Sequence, residues 1–326
     1  MPVRTPDTDS VTSWVAAATT APSMHNAQPW RFRHVRGSGE LLVMSDPRRT
    51  MPRTDPSARG LHVGCGAALF NLRVAAAAAG WETRVRLLPD PADPERLAIV
   101  GFASADREDE IAGLYPAVRR RRTSREPFSD EPVPRELLDG LAGAALVEGA
   151  RLAFPDAWQV QAMLDLVWDA EQEERLSPEV REEIARWTGT GREAAALEGV
   201  PTWAFGPRRH GGRAPVRDFA GDRPVEGRRT AVFEQWPCLA VLGTRDDGPE
   251  DWLRAGQAME RVLLLATSDG LSTSLNSQVL EWPELRWVVR DPLSPTGHPQ
   301  MLIRLGYGPD VPATPRRPVS DVLDVV

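Results

Sequence analysis

The chain has 326 residues, a formal net charge of -7 and apolar side chains at 41% of its positions. That length can bury a large core and accommodates two units of ordinary domain size, while the acidic balance argues against a nucleic-acid partner. All 39 basic residues are arginine, which excludes lysine Schiff-base chemistry and a Walker-type phosphate loop, so any cation that holds an anion here is a guanidinium. The longest apolar run, residues 63–80, is broken by Asn71 and Arg73 and does not read as a membrane span. Residues 1–10 carry no signal pattern, so a cytoplasmic location is expected, with Cys65 and Cys238 as buried thiols rather than a disulfide.

An alanine-rich helical run over residues 11–20 leads into the polar loop Ala21-Pro22-Ser23-Met24-His25-Asn26-Ala27-Gln28-Pro29-Trp30. Alternating residues 30–35 predict a strand, Gly37-Ser38-Gly39 a turn and residues 41–44 a second strand. A loop set with two prolines and small hydrogen-bonding side chains, between a helix and a strand, is a natural place for a fixed binding surface. After an arginine- and proline-rich stretch, Gly64 and Gly66 begin a long run to Gly80. The pair invites a dinucleotide-binding reading, but Leu69 stands where a third glycine is needed and no β-α-β unit precedes it, so a buried helix with small packing residues is the better reading.

That helix recurs. Gly66 and Gly80 match Gly256 and Gly270 at an offset of 190, residues 99–102 resemble 304–307 at 205, and residues 15–21 resemble 141–147 at 126. Three weak matches in one order predict a duplicated unit. The growing offset places about 64 extra residues between Ala150 and Gly256. Two helices are expected there, over residues 156–174 and from Pro178 to Trp187, with Ser177 as an N-cap. Residues 188–229, rich in Gly, Pro and Arg, read as a lid. Between the copies, five arginines fall in residues 119–125. Composition alone leaves a solvated linker and an anion site equally open there, with guanidiniums and the hydroxyls of Thr123 and Ser124 suited to a phosphate.

The segment Arg121-x-Thr123-x-Arg125, with Phe128 following, resembles the R-x-S-x-R segment of FMN-dependent nitroreductases, and the Pro22-to-Trp30 loop resembles their P-S-x-x-N-x-Q-P-W segment. Gly306-Tyr307-Gly308-Pro309 and Pro315-Arg316-Arg317-Pro318 resemble their C-terminal end. The combination is most similar to the Acg-like branch, in which two nitroreductase-type halves are fused. The resemblance implies an α+β fold of two related halves in one chain, a pseudo-dimer with central antiparallel or mixed sheets flanked by helices. The halves are expected at residues 1–114 and 115–326.

In the family, the two motifs enclose FMN across the dimer. This chain has the loop motif only in the first half and the arginine motif only in the second, so the resemblance implies one composite site and one FMN per chain. Arg121, Thr123 and Arg125 are expected on the phosphate and ribityl chain, with Arg317 or Arg316 closing on the phosphate. Pro22, Ser23, Met24, Asn26 and Gln28 are expected from the other half; Met24 replaces a common serine and removes a hydrogen bond. His25 is expected to pack or to lie at the surface. The five histidines show no zinc spacing. The expected activity is transfer from NAD(P)H through FMN to a small organic acceptor (a nitroaromatic, a quinone or a specialised metabolite), in a monomer without nucleic-acid or membrane partners. The alternative is a non-catalytic flavin binder whose lid covers the cofactor.

Overall fold

The computed structural model describes residues 5–105, 109–188, 197–221, 223–290 and 297–326. The first part of the chain forms α1 (Thr8–Ala18), β1 (Trp30–Val35), β2 (Glu40–Ser45), α2 (Arg59–Ala78), β3 (Trp81–Leu87) and β4 (Arg96–Ser104). A short α3 (Tyr115–Val118) leads to α4 (Arg135–Val147) and β5 (Arg151–Ala153). A long excursion then carries α5 (Ala157–Leu176), α6 (Pro178–Arg186), β6 (Arg208–Gly211) and β7 (Thr230–Val232). The chain returns through β8 (Cys238–Thr244), α7 (Pro249–Ser268), β9 (Ser272–Asn276), α8 (Pro283–Val289) and β10 (His298–Gly306), and ends in β11 (Leu323–Val325).

The helix over residues 11–20, the first two strands and both helices of the excursion lie where the sequence reading places them. Ser177 accepts from Val180 N with Pro178 at the first helical position, the N-terminal chemistry expected of α6.

The main sheets have strand orders β11-β1-β2-β4-β3 and β5-β8-β10-β9. Setting β11 aside, the two orders are the same, and every pairing within those four-strand sets is antiparallel. The three sequence matches fall on α1 and α4, α2 and α7, and β4 and β10, which hold corresponding places. The architecture is therefore α+β. The expected boundary at 114/115 falls just before α3, yet β11 pairs in parallel with β1 and so completes the sheet of the first unit.

Helices α2 and α7 pack across the centre. A Cβ on Gly66 would collide with the Leu253 carbonyl, and one on Gly256 with the Val63 carbonyl. Val63 and Leu253 stand 190 residues apart, as the two glycines do, so the contact is reciprocal, as at a two-fold interface. Glycine is needed here because the backbones touch. Around this crossing one continuous core includes Phe32, Leu69, Phe70, Leu97, Leu141, Leu263 and Ile303. Among the described residues α2 is the one helix long and apolar enough to cross a membrane, and 83% of its most apolar window is buried in the protein; it is the core helix that the Gly64–Gly80 pattern predicts.

The excursion begins after Ala153, earlier than the lid expected at 188–229. Residues 189–196 and 222 of that stretch lie outside the described residues. The described part packs Val200, Phe205, Phe219 and Ala220 against Val180 and Ile184 of α6.

Candidate functional site

A cavity of about 740 Å³ runs between the loop after α1, the first turns of α2, the arginine segment before α4, and β9. Its size lies within the range of small-molecule and cofactor sites. Two sequence features shape the loop wall. Gly60 and Gly64, one turn apart on α2, let the loop close in: added Cβ atoms would lie 3.0 Å from Met24 Sδ and 3.2 Å from Ser23 Cβ. Within the loop His25, Asn26 and Gln28 all have positive φ (48°, 55° and 53°), an uncommon backbone for side-chain-bearing residues that only surrounding bonds maintain.

Those bonds are specific. Ser23 Oγ accepts from Gln28 N at 2.9 Å, Gln28 Oε1 accepts from Arg317 N at 2.8 Å, and Gln28 Nε2 donates to Leu197 O at 2.6 Å. Asn26 Nδ2 donates to Gly199 O and Pro315 O, while Gly199 N donates back to Asn26 O. The loop is thus held by the excursion on one side and the C-terminal segment on the other. Pro22, Ser23, Met24 and Asn26 line the cavity; Gln28, fully buried, stands behind the loop as a brace.

The arginine segment lies beside β9: Thr123 bridges Thr273, Ser124 N donates to Thr273 O at 2.8 Å, and Phe128 is buried 3.6 Å under the Arg304 guanidinium. Arg121, Thr123 and Arg125 all line the cavity, but the two arginines have different surroundings. Arg121 is buried with its Nε 3.3 Å from Glu260 Oε1, and its Nη2 donates to Thr20 O. Arg122 and Arg316 line the same end, Arg316 donating to Thr20 O, Ala21 O and Thr314. Among the described residues, Arg121 Nε and Nη1 and Arg316 Nε are buried without a hydrogen-bond acceptor. Burial, together with Arg121, holds the Arg316 pKa down to about 9 despite Glu260, and burial raises Glu260 to about 7 even beside Arg121. Among the described residues, Arg121 and Arg316 therefore both act on the one buried carboxylate of Glu260, with Arg122 beside them.

Arg125 lies apart from that cluster. It donates to Ala204 O at 3.0 Å and stacks 4.9 Å from the Phe219 ring centroid; burial and the nearby Arg217 lower its pKa to about 10. Arg217 is locked between Glu281 and Glu174. His25 is buried, correcting the surface alternative. It meets Phe219 edge-on at 5.5 Å, its Nε2 has no hydrogen-bond partner among the described residues, and burial with Arg217 and Arg125 keeps the ring neutral.

Of the two C-terminal arginines, Arg316 reaches the cavity and Arg317 does not. The Arg317 guanidinium donates to Asp321 O and lies 3.8 Å from Asp46, because its own N–H is tied to Gln28 and the side chain leaves on the opposite side. Neither Arg317 nor Gln28, both expected on the ligand, is among the residues that line this cavity. Sequence reading missed Arg122, Glu260, Arg217 and Arg59 as cavity or near-cavity groups. For Glu260 a signal existed: it is the one acid on the mainly apolar buried face of α7. Among the described residues no cluster of three or more His, Cys, Asp or Glu could hold a metal ion, and both cysteines are free.

In this arrangement arginines on one side of the cavity meet a proline-flanked loop on the other. The Nitroreductase family model matches residues 118–307, and the chain belongs to that family. Over its full length it is similar to two Mycobacterium tuberculosis (strain ATCC 25618 / H37Rv) proteins. It is 34% identical to "Putative NAD(P)H nitroreductase Rv3131", covering 98% of this chain and 92% of the relative. It is 32% identical to "Putative NAD(P)H nitroreductase acg", covering 100% and 98%. Among solved structures, an FMN and NADPH-dependent nitroreductase, NfnB, from a strain given as sphigopyxis sp. HMH is 17% identical with a TM-score of 0.42, covering 65% of this chain and 97% of that one.

Proposed function

We propose that the cavity holds one FMN per chain and that the protein passes hydride or electrons from NAD(P)H through it to a small organic acceptor. The observation that carries this is the excess of cations at the arginine end: among the described residues Arg119, Arg121, Arg122 and Arg316 line it, and Glu260 is the buried carboxylate beside Arg121. A phosphate monoester, with a charge of about -1.5 to -2 at neutral pH, matches the surplus, and the orphaned Arg121 and Arg316 N–H groups supply donors for it. Thr123 adds a hydroxyl at that end, and Pro22, Ser23, Met24 and Asn26 form the wall for the ring system. When bound, the flavin supplies the hydride chemistry. The chain orients it through a strained, braced loop, and excludes water with Phe219, Val200 and Met259. The neutral His25 ring adds no further positive charge beside Arg125 and Arg217.

The test is anaerobic titration of purified, flavin-loaded protein with NADPH and NADH. Bleaching of the flavin and a flavin-to-protein ratio near one support the reading; colourless protein that takes up no added FMN rejects it. A monomer is the assembly that fits, since two units already meet at Gly66 and Gly256 within one chain; light scattering checks it.

A second reading, a flavin-sequestering protein without turnover, is favoured by one observation. The excursion is bonded to the loop through Asn26–Gly199 and Gln28–Leu197, over the wall where a ring would lie. If wild-type flavin resists NADPH while Asn26→Ala permits bleaching, sequestration is the better description.

A further inference from the structure

Glu260 is wholly buried on α7, where it meets the arginine segment. Its Oε1 stands 3.3 Å from Arg121 Nε. Yet among the described residues neither carboxylate oxygen makes a well-formed hydrogen bond, and neither do Arg121 Nε and Nη1. An ion pair this deep, without directed hydrogen bonds, offsets little of the penalty for removing both charges from water. Such a carboxylate is readily neutralised by a proton. Burial accordingly raises its pKa to about 7, with Arg121, Asn71 and Arg316 opposing the rise.

The other ionisable groups packed around α7 are engaged elsewhere or stand at its edges. On α7 itself, Arg261 turns to Glu110 and Glu148. From α2, Arg73 is taken by the same Glu148, at the end of α4, and by Gln257, while Asn71 donates to Thr20 Oγ1. Helix α3 brings Tyr115, β8 brings Cys238, and β9 carries no ionisable side chain. On β10, His298 lies by Asp247, and Arg304 is held by Glu234. Arg119 and Arg122 line the cavity beside Arg121. Arg121 and Arg316 are the charged groups that act on Glu260 most, and both also line the cavity. The same two guanidiniums therefore answer to the buried carboxylate and to an anion in the cavity.

We propose that Glu260 couples the arginine end of the cavity to pH: a phosphate monoester that settles on Arg121 and Arg316 makes the protein take up a proton from water, and Glu260 carries it. Two negative charges sharing the same guanidiniums disfavour each other, so bound phosphate strengthens the hold of Glu260 on its proton. By reciprocity the protonated carboxylate strengthens the hold on phosphate. This group's contribution to affinity is therefore complete in acid and declines as pH rises through about 7, by up to about tenfold per pH unit for one linked proton. The second proton of the phosphate itself, with a pKa of about 6, acts in the opposite direction, but equally in every variant. The inference rests on the flavin reading for the ligand's identity as FMN, and on Arg121, Arg316 and Glu260 alone for the coupling.

The experiment is calorimetric titration of flavin-free, full-length wild type and Glu260→Gln with FMN, with riboflavin (which lacks the phosphate) and with inorganic phosphate. Each is run across neutral pH in two buffers of unlike ionisation enthalpy, so that protons taken up are counted directly. Glutamine keeps the shape of the protonated acid and cannot ionise. Relative to Glu260→Gln, wild type should lose about 10-fold in FMN affinity between about pH 6.5 and 8.5. It should also take up a proton with FMN that the variant does not, and riboflavin should show neither effect. The same pH dependence and proton count in both proteins overturns the proposal. So does riboflavin behaving as FMN does, which traces the coupling to the ring. If Glu260→Gln does not fold, the wild-type count decides: uptake with FMN no greater than with riboflavin rejects the coupling. Protein that binds phosphate with this coupling but never FMN fails the flavin reading alone, and protein that binds neither fails both.

Discussion

Between α1 and β1 the chain takes residues 19–29, whereas between α4 and β5, at the corresponding place in the other unit, it takes only 148–150. The reverse holds one connection later: β1 and β2 are joined by residues 36–39, β5 and β8 by residues 154–237. The strand order is common to both units, so the sheets do not distinguish them. What differs is the loops, and one unit's long loop is bonded to the other's long excursion through Asn26 and Gly199. The central helices differ in the same way. At the 190-residue offset, Glu260 of α7 stands where α2 has Phe70. One helix presents a carboxylate to Arg121, and the other a ring to the core. A single cavity made by two unlike walls is the consequence.

The comparison can be broken first at the point the units share. Gly256→Ala places a methyl group into the Val63 carbonyl, and neither helix can yield without separating the units. A loss of about 3 kcal/mol or more is expected by urea denaturation. A change under about 1 kcal/mol would mean that the crossing is loose. Next comes the asymmetry of binding. Arg316→Ala should weaken FMN by about 1.5–3 kcal/mol, read by fluorescence titration, while Arg151→Ala on β5, which does not line the cavity, should leave it unaltered. Two flavins per chain would dissolve the asymmetry altogether.

Glu260 sharpens the contrast through pH. Its folded pKa, about 7, lies above its ordinary value of 4.5, so the folded state holds a proton that the unfolded state gives up. The stability this contributes is complete below pH 4.5 and is lost as pH rises through about 7. In cofactor-free protein Glu260→Gln should therefore gain on wild type between pH 5 and 8, by about 2–4 °C in Tm for each 1 kcal/mol. A difference that does not change with pH would refute the assignment. The smallest effect is expected at Gly140 on α4, where an added Cβ meets nothing within 4 Å; Gly140→Ala should stabilise by about 0.5–1 kcal/mol.

Much of this was legible in the residues. The helix over residues 11–20, the first two strands and the α2 pattern follow from periodicity and turn residues. The 190-residue offset marked the helix pair that meets at its glycines. The two family motifs located the cavity's opposite walls, because Asn26 and Arg125 line one space. Which guanidinium turns inward was not legible. Strict alternation would put Arg121, Thr123 and Arg125 on one side and Arg122 on the other, yet the segment touches β9 only at an isolated bridge, and Arg122 reaches the cavity as well. The choice between Arg316 and Arg317 depends on Gln28, a bond spanning 289 residues that no local pattern encodes. Glu260 and Arg59 are paired or stranded by tertiary packing, which one-dimensional reading does not reach.

The link from β4 through α3 to α4 has a genetic consequence. In an assembly of two identical polypeptides, one codon writes both copies of every position, so a substitution that suits one copy is forced on the other. Within one chain, corresponding positions of the two units answer to separate codons. Glu260 can then serve an ion while Phe70 serves the core, and either loop can lengthen without its twin.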